Sequence, residues 1–323
     1  MTFLGIDTSN YTTSLGVCDE NGRVLADERI VLNVKAGERG LRQSEAVFQH
    51  VKNLPQLFER LKEKGIIGTD IATIGCSITP RPLEDSYMPV FRAGEGFGRS
   101  LSAMLGCPIV PVSHQENHIR AAMVGCGKKP EDFSYPLLAL HFSGGTSEIL
   151  KVDRDGLGFS CEILGKTLDL NGGQLVDRIG VHLGLSFPAG RALEALAEQA
   201  KEKTTRLPTS LDGADFHFSG QENKSKALLE AQVPPEEVAY GLFLSVAKTI
   251  TKSLRVINHK KQYKDVIFSG GVMANQIIAQ AVKKNLEPTG LKLHFTKPNL
   301  ATDNGIGVAF LAMDHYIKTG KQQ

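Results

Sequence analysis

The sequence predicts an α/β fold built as two similar lobes, and three observations carry that reading. Apolar, strand-sized segments alternate with segments of helical periodicity, the mark of α/β architecture. A pattern of apolar strand, turn of small residues and return strand occurs twice. The 323 residues suffice for about two domains of ~150 residues, each able to bury a core without disulfides or metal. Apolar residues make up 41 % and charged residues 22 %, a composition that excludes a disordered or collagen-like polymer. The balance of 37 basic and 35 acidic side chains leaves a net charge of +2. A polyanionic partner can therefore be met only by a local basic patch.

The first strand pattern runs through Leu4-Gly5-Ile6-Asp7-Thr8-Ser9 and returns at Thr13-Ser14-Leu15-Gly16-Val17; the second runs through Leu138-Ala139-Leu140-His141-Phe142-Ser143-Gly144-Gly145 and returns at Ser147-Glu148-Ile149-Leu150. Either tip offers backbone N–H groups and hydroxyls to an anion, or simply joins two strands. Between them, Val47, Val51, Leu54, Phe58 and Leu61 step at helical spacing and predict an amphipathic helix over 44–64, bent at Pro55. Strands are expected at 71–78 and 108–112. Residues 125–135 read as the crossing between lobes and 201–215 as a loop. Over 236–259, Ala239, Phe243, Val246, Ile250, Leu254 and Ile257 predict a core helix. Its far end carries Lys248, Lys252, Arg255, Lys260, Lys261 and Lys264, either complementing the helix dipole or facing tRNA. The five cysteines, Cys18, Cys76, Cys107, Cys126 and Cys161, are odd in number and widely spaced; they read as reduced core residues of a cytoplasmic protein. No signal peptide or membrane span is expected, because the N-terminus lacks a basic region and no long apolar run occurs.

The segment Ser113-His114-Gln115-Glu116-Asn117-His118 contains a capping box, Ser followed by Glu three places on, so a helix should begin here. His114 and His118 then lie one turn apart on one face, the geometry two imidazoles need to share an ion. A zinc-peptidase mechanism of the usual signature type loses its base and is the least favoured reading, since Gln115 stands where that signature needs a glutamate. Further ligand candidates are His141, otherwise a core histidine, and Asp303, otherwise an N-cap of the last helix. Three histidines and a carboxylate suit zinc or iron. In Asp265-Val266-Ile267-Phe268-Ser269-Gly270-Gly271-Val272-Met273-Ala274-Asn275, Gly270 and Gly271 either admit a nucleotide at a helix N-terminus or allow close packing. Neither a GxGxxG nor a P-loop pattern is present. Around Gly172-Gly173, Asp169 and Asp177 offer carboxylates to a ribose or to solvent.

Taken together, these segments resemble the tRNA threonylcarbamoyladenosine transferase family, formerly labelled O-sialoglycoprotein endopeptidases. The motifs occur in order over nearly the whole chain: Gly5-Ile6-Asp7-Thr8-Ser9, the His114/His118 pair, Ser143-Gly144-Gly145, Asp177, Leu183 to Gly190, Asp215 to Gly220, Ser269 to Asn275, and Thr302-Asp303-Asn304. The resemblance implies an actin-like ATPase (ASKHA) fold with duplicated ribonuclease-H-like lobes and the ligand cleft between them: residues 1–134 completed by a C-terminal helix over about 301–323, and residues 135–300. It implies a metal held by His114, His118 and Asp303, with His141 falling where relatives place a tyrosine ligand. An adenine nucleotide would lie by Ser143, Gly144, Gly145, Asp169, Gly173, Asp177, Gly190, Gly270, Gly271 and Asn275, and Asp7, Ser9 and Thr12 are the catalytic candidates of the first hairpin. The implied reaction is that of an acyltransferase, moving a threonylcarbamoyl group from its adenylate to N6 of a tRNA adenosine beside the anticodon. The implied partners are tRNA, a paralogous actin-like protein and a small ATPase.

This chain departs from the family pattern at several places. Asn10-Tyr11-Thr12-Thr13 stands where the family has Cys-Asp-Glu-Thr, Thr79-Pro80-Arg81-Pro82-Leu83-Glu84 replaces a Gly-Pro-Gly-Leu run, Thr146 replaces a His or Asn, and Gln174 replaces a Glu. Two other readings therefore stand beside the first: a nucleotide-binding partner or regulatory protein without catalysis, and a carbamoyl-type transferase or ATPase with a non-tRNA acceptor.

Overall fold

The structure, a computed structural model, describes residues 1–9, 11–34, 41–68, 70–82 and 86–320. Asn10 of the first hairpin, Leu83 and Glu84 of the departing segment, and the last three residues of the expected C-terminal helix lie outside the described residues. The chain divides into two compact units, one of Met1–Pro130, Arg154–Ser160 and Asn299–Gln323, the other of Glu131–Asp153 and Cys161–Pro298.

In the first unit, β1 (Thr2–Asp7), β2 (Thr12–Asp19) and β3 (Val24–Val31) form an antiparallel meander, and β4 (Ile71–Thr79) and β5 (Ile109–Ser113) extend it in parallel. The strand order is β3-β2-β1-β4-β5. The sheet is covered by α1 (Gln43–Glu63), α2 (Phe91–Leu105), α3 (His114–Gly125) and α9 (Ile306–Thr319). The expected helix α1 forms and runs through Pro55, but its buried stripe is Ala46, His50, Asn53, Leu54, Leu57 and Leu61. That is about one residue round from the predicted apolar face, and Val51 is exposed. The reason is polar: Thr13 Oγ1 lies 2.8 Å from His50 Nδ1 and accepts from Asn53 Nδ2 at 3.1 Å, so two hydrophilic side chains turn inward.

The second unit repeats the plan. β6 (Leu137–Phe142) pairs antiparallel with β7 (Ser147–Asp155), which neighbours β8 (Gly158–Lys166), while β11 (Asp265–Ser269) and β12 (Lys292–Phe295) continue in parallel from β6. The order β12-β11-β6-β7-β8 is the first sheet's order read from the other end, which is the duplication expected from the two hairpin motifs. Helices α4 (Gly172–His182), α5 (Gly190–Ala197), α6 (Ser219–Glu230), α7 (Pro235–Ile257) and α8 (Gln276–Leu286) belong to this unit. Helix α7 buries Ala239, Phe243, Val246, Ile250 and Leu254 as its spacing predicts. The segment read as a loop contains a short hairpin instead, β9 (Ser210–Asp212) with β10 (Asp215–His217); Gly213 at φ +58° supplies the left-handed turn that closes it. Only Cys18 and Cys76 of the five free cysteines are buried; Cys107, Cys126 and Cys161 are partly exposed. No helix among the described residues is long and apolar enough to cross a membrane.

The first unit is closed by contact between backbones. A Cβ on Gly5 would lie 2.2 Å from the Gly305 carbonyl oxygen, and one on Gly305 would lie 2.5 Å from Gly16 N. Helix α9 can reach the sheet only where side chains are absent. Gly305→Ala should destabilise the protein by about 3 kcal/mol or more, measured by urea unfolding; a loss under about 0.5 kcal/mol would show that this contact relaxes freely.

Candidate metal and nucleotide sites

Ser113 ends β5 and caps α3. Its hydroxyl accepts from Glu116 N at 3.2 Å, and Glu116 Oε2 accepts from Ser113 N at 2.8 Å. This reciprocal cap fixes where α3 begins and so fixes the phase of its two histidines. His114 Nε2 and His118 Nε2 lie 2.9 Å apart. Asp303 Oδ1 lies 3.6 Å from the first and 3.2 Å from the second. The alternative role for Asp303, capping the last helix, belongs to its neighbour: Asn304 Oδ1 accepts from Ile306 N and Gly307 N at 2.9 and 3.3 Å, and α9 starts at Ile306.

These spacings fit an ion. With bonds near 2.1 Å, ligands of one metal stand about 3.0 Å apart when octahedral and about 3.4 Å when tetrahedral. Two imidazoles and one carboxylate on one side form a donor set suited to iron or zinc. Asp7 supplies the outer support such sites need. Its carboxylate is fully buried, and Oδ2 lies 3.3 Å from His114 Nδ1, the nitrogen pointing away from the cluster. Burial pushes the His114 imidazole towards neutrality, but Asp7, with Asp303 beyond it, outweighs this and holds its pKa above the ordinary value. Ser9 Oγ also donates to Asp7 Oδ2, at 2.7 Å. Two of the three catalytic candidates, Asp7 and Ser9, thus sit directly behind His114. Thr12 joins them through its backbone, its N–H meeting Ser9 O at 3.4 Å.

Two supporting residues, Asn117 and Arg29, are not signalled by the sequence, and a third, Glu116, is signalled only as a helix cap. Asn117, completely buried, donates to Asp7 Oδ2 at 3.2 Å and to Asn304 O at 2.6 Å, joining the histidine helix to the Asp303 loop. Arg29 on β3 donates to Asn299 O at 2.5 Å, Thr302 Oγ1 at 2.9 Å and Asp303 O at 3.0 Å, so it grips the loop that carries the carboxylate ligand. Glu116 Oε1 accepts from Phe159 N at 3.3 Å. Arg29 is also paired with Asp27, donating from Nε to Oδ1 at 2.7 Å and from Nη2 to Oδ2 at 2.5 Å, but nothing local marks its hold on a loop some 270 residues away. Among the described residues the cluster with metal-ligand spacing comprises His114, His118 and Asp303. His141 belongs to the second unit, where its Nδ1 lies 3.3 Å from Ser269 Oγ.

In the second unit the expected nucleotide residues form two groups. The first surrounds the β6–β7 tip. Ser143 closes the tip, its N–H donating to Thr146 O at 2.7 Å, and Gly144 and Gly145 stand exposed. The start of α4 lies directly on this tip: a Cβ on Gly173 would be 2.6 Å from Gly144 N. Gly270, at φ +93°, presses on the same strand end, where a Cβ would fall 2.1 Å from Phe142 O. Space around Gly271 is open. The strand-glycine-helix reading needs one change, because a 3-10 turn over Gly271–Ala274 precedes α8. The second group lies at the starts of α5 and α8, with Asp177 from α4. Asp177 Oδ1 accepts from Ala189 N at 2.8 Å, next to Gly190, and burial raises the Asp177 carboxyl above the ordinary range. Asn275 caps α8 through Oδ1 on Ile278 N, 2.9 Å, while its buried Nδ2 has no hydrogen-bond partner. A buried amide donor left so is a place for a ligand acceptor. The Asp169 carboxylate accepts from Leu170 N at 2.5 Å, Phe218 N at 2.8 Å and Ser219 N at 3.1 Å, anchoring the start of α6.

The profile of the tRNA N6-adenosine threonylcarbamoyltransferase (TsaD) family matches residues 24–310. A tRNA N6-adenosine threonylcarbamoyltransferase of Thermus thermophilus is 31 % identical over 97 % of this chain and 92 % of its own. Among solved structures, the ADPNP-bound activator of 2-hydroxyisocaproyl-CoA dehydratase from Clostridium difficile superposes with a TM-score of 0.58 at 16 % identity, covering 100 % of this chain and 98 % of its own. HypF from T. kodakarensis superposes with a TM-score of 0.62 at 14 % identity over 98 % of this chain and 48 % of its own. These likenesses show the fold, that of the actin-like ATPases.

Two outcomes follow from the geometry. Arg29→Ala frees the Asp303 loop and should weaken iron or zinc binding by about 10–100-fold, read by metal titration, with secondary structure retained; unchanged affinity would show that the loop holds itself. For Asp169, burial opposes ionisation, but the N–H groups of Phe218, Leu170 and Ser219 outweigh it and draw the carboxyl down to about 2. Its folded pKa lies below the unfolded one, so its stabilisation is complete above about pH 4 and is lost as pH falls towards 2. Asp169→Asn should cost about 1–2 kcal/mol at neutral pH and leave less stability to lose on acidification; an unchanged acid limb in denaturant melts would refute this.

Proposed function

Because the chain belongs to the tRNA N6-adenosine threonylcarbamoyltransferase family, we propose that it moves a threonylcarbamoyl group from threonylcarbamoyl adenylate to the N6 amine of a tRNA adenosine next to the anticodon. The observation that supports this best is the triad of His114 Nε2, His118 Nε2 and Asp303 Oδ1, spaced for one ion and backed by a buried carboxylate. Iron or zinc bound there supplies Lewis-acid polarisation of a carbonyl or phosphate oxygen. The chain's residues do the rest. Asp7 and Asn117 hold the imidazole face and the Asp303 loop in register. The Ser143-Gly144-Gly145 tip takes phosphate, and Asp177, Gly190 and the Nδ2 of Asn275 take the nucleoside. In the transfer, the bond from the carbamoyl carbon to N6 forms and its bond to the phosphate oxygen breaks. AMP leaves with the electron pair, and the proton lost from N6 passes to water. The paralogous actin-like protein and small ATPase are the partners proposed with this reading.

The first hairpin favours a second reading, a nucleotide-binding partner that performs no transfer. It carries Tyr11 and Thr12 where the family pattern has an aspartate and a glutamate. One assay decides. The metal-loaded protein is incubated with threonylcarbamoyl adenylate and unmodified tRNA, with and without those partners, and the tRNA nucleosides are read by mass spectrometry. Modified adenosine that disappears with His114→Ala/His118→Ala, together with loss of bound metal, is the expected result. Absence of product with partners present, while ATP or ADP still binds, would overturn transfer and establish the second reading.

A further inference from the structure

The basic end of α7 takes no part in either site, yet it is built into a feature of the second unit. A groove of about 820 Å³ lies among α7, α8 and the 203–207 segment. Six cations line it: Lys203 and Arg206 from the segment, Lys248, Lys252 and Arg255 from α7, and Lys284 from α8. Among the described residues, Glu198 is the one carboxylate on its wall. Among the described residues none of the six cations makes an ion pair with a carboxylate. Elsewhere in the same unit pairing occurs: Arg178 and Lys226 share Glu222 at 3.2 and 2.6 Å, and Lys151 meets Glu162 at 3.2 Å. Six like charges converging from three segments repel one another unless something outside the chain neutralises them.

The segment is held in place rather than draped. Glu237, in the first turn of α7, accepts from Glu202 N and Lys203 N at 2.8 Å each. Lys203 adopts φ +56°, a left-handed conformation that costs a non-glycine residue free energy and persists only when its surroundings impose it. Arg206 Nη1 donates to Lys203 O and Thr205 O at 3.0 and 3.2 Å. The segment fits closely on α7 because residue 241 is glycine: a Cβ there would meet Thr205 Cγ2 at 2.9 Å. Strain of this kind, paid at an exposed cationic segment, is an observation independent of the charge.

The occupant must be a chain of anions. Lys248, Lys252 and Arg255 lie on one face of α7 and span about 10 Å along its axis, too far for a single phosphate. Gln276, Gln280 and Thr251, also on the walls, offer neutral hydrogen bonds, the mixture that sugar-phosphate backbones meet on proteins. We propose that this groove holds a stretch of the RNA sugar-phosphate backbone, which rests on the reading that the acceptor is tRNA. Lys260 and Lys261, grouped with these cations in the sequence, do not line the groove and serve as the control.

The test measures binding of labelled unmodified tRNA by fluorescence anisotropy across a salt series, for the full chain, for K248Q/K252Q/K284Q and for K260Q/K261Q. The groove variant should bind at least about 10-fold more weakly, with a slope of log affinity against log salt shallower by about two to three, since each phosphate contact contributes about 0.7 to 0.9. The control variant should match the parent. Equal affinity and slope in the groove variant, or salt-dependent binding of tripolyphosphate but not of tRNA, would overturn the proposal. Transfer is read separately. A protein that binds tRNA through this groove and transfers nothing refutes the acceptor chemistry and leaves the groove standing; one that modifies tRNA with the groove neutralised and binding unchanged does the reverse.

Discussion

Backbone pressed on backbone, where α9 meets β1 and β2, is the constraint on which the first unit depends. Gly5 and Gly16 leave the sheet bare at one spot, Gly305 sits on it, and Gly307 lies against α3 so closely that a Cβ would fall 2.1 Å from Asn117 O. The residues just before α9 are therefore fixed relative to two separate elements at once. Asp303 owes its place beside the imidazoles to that wedge, not to its own helix. Behind it lies a buried polar set, in which Asn117 donates both to Asp7 and to the Asn304 carbonyl.

Much of this was legible in the sequence, and the parts that were share a cause. The capping box at Ser113 and Glu116, the four-residue spacing of the histidines and the apolar stripe of α7 depend on neighbours within a turn or two, so local chemistry decides them. The repeated hairpin predicted the repeated sheet because each strand pattern states its own pairing. The stripe of α1 was misjudged for the opposite reason: Val51 fits the period, but His50 and Asn53 find a buried hydroxyl on β2, and a hydrogen bond across the fold outranks one valine. Asp303 fell between two readings until the position of Asn304 assigned the cap. Arg29 was invisible, since its role lies in carbonyls that follow residue 298 and are brought to it by tertiary packing.

The two units use glycine differently. In the first, glycines admit another part of the chain. In the second, Gly173 and Gly270 crowd the end of β6 from two sides, while Gly144, Gly145 and Gly271 face open space. The tip is thus rigid behind and bare in front, an arrangement that suits an anion approaching main-chain N–H groups without reorganisation. Asp169 has a further role that the sequence does not signal: its oxygens accept from the N–H groups that open α6.

Glu116 has a consequence beyond capping. One oxygen fixes the first turn of α3 and the other receives the N–H of Phe159, beside Gly158, at the tip of the β7–β8 ribbon. A single carboxylate thus ties a surface turn distant in sequence to the phase of the histidine helix. Insertions or bulky replacements at that outer turn would be felt as misaligned imidazoles, so a chain of this design has little freedom to vary a ribbon tip that, judged by exposure alone, looks expendable.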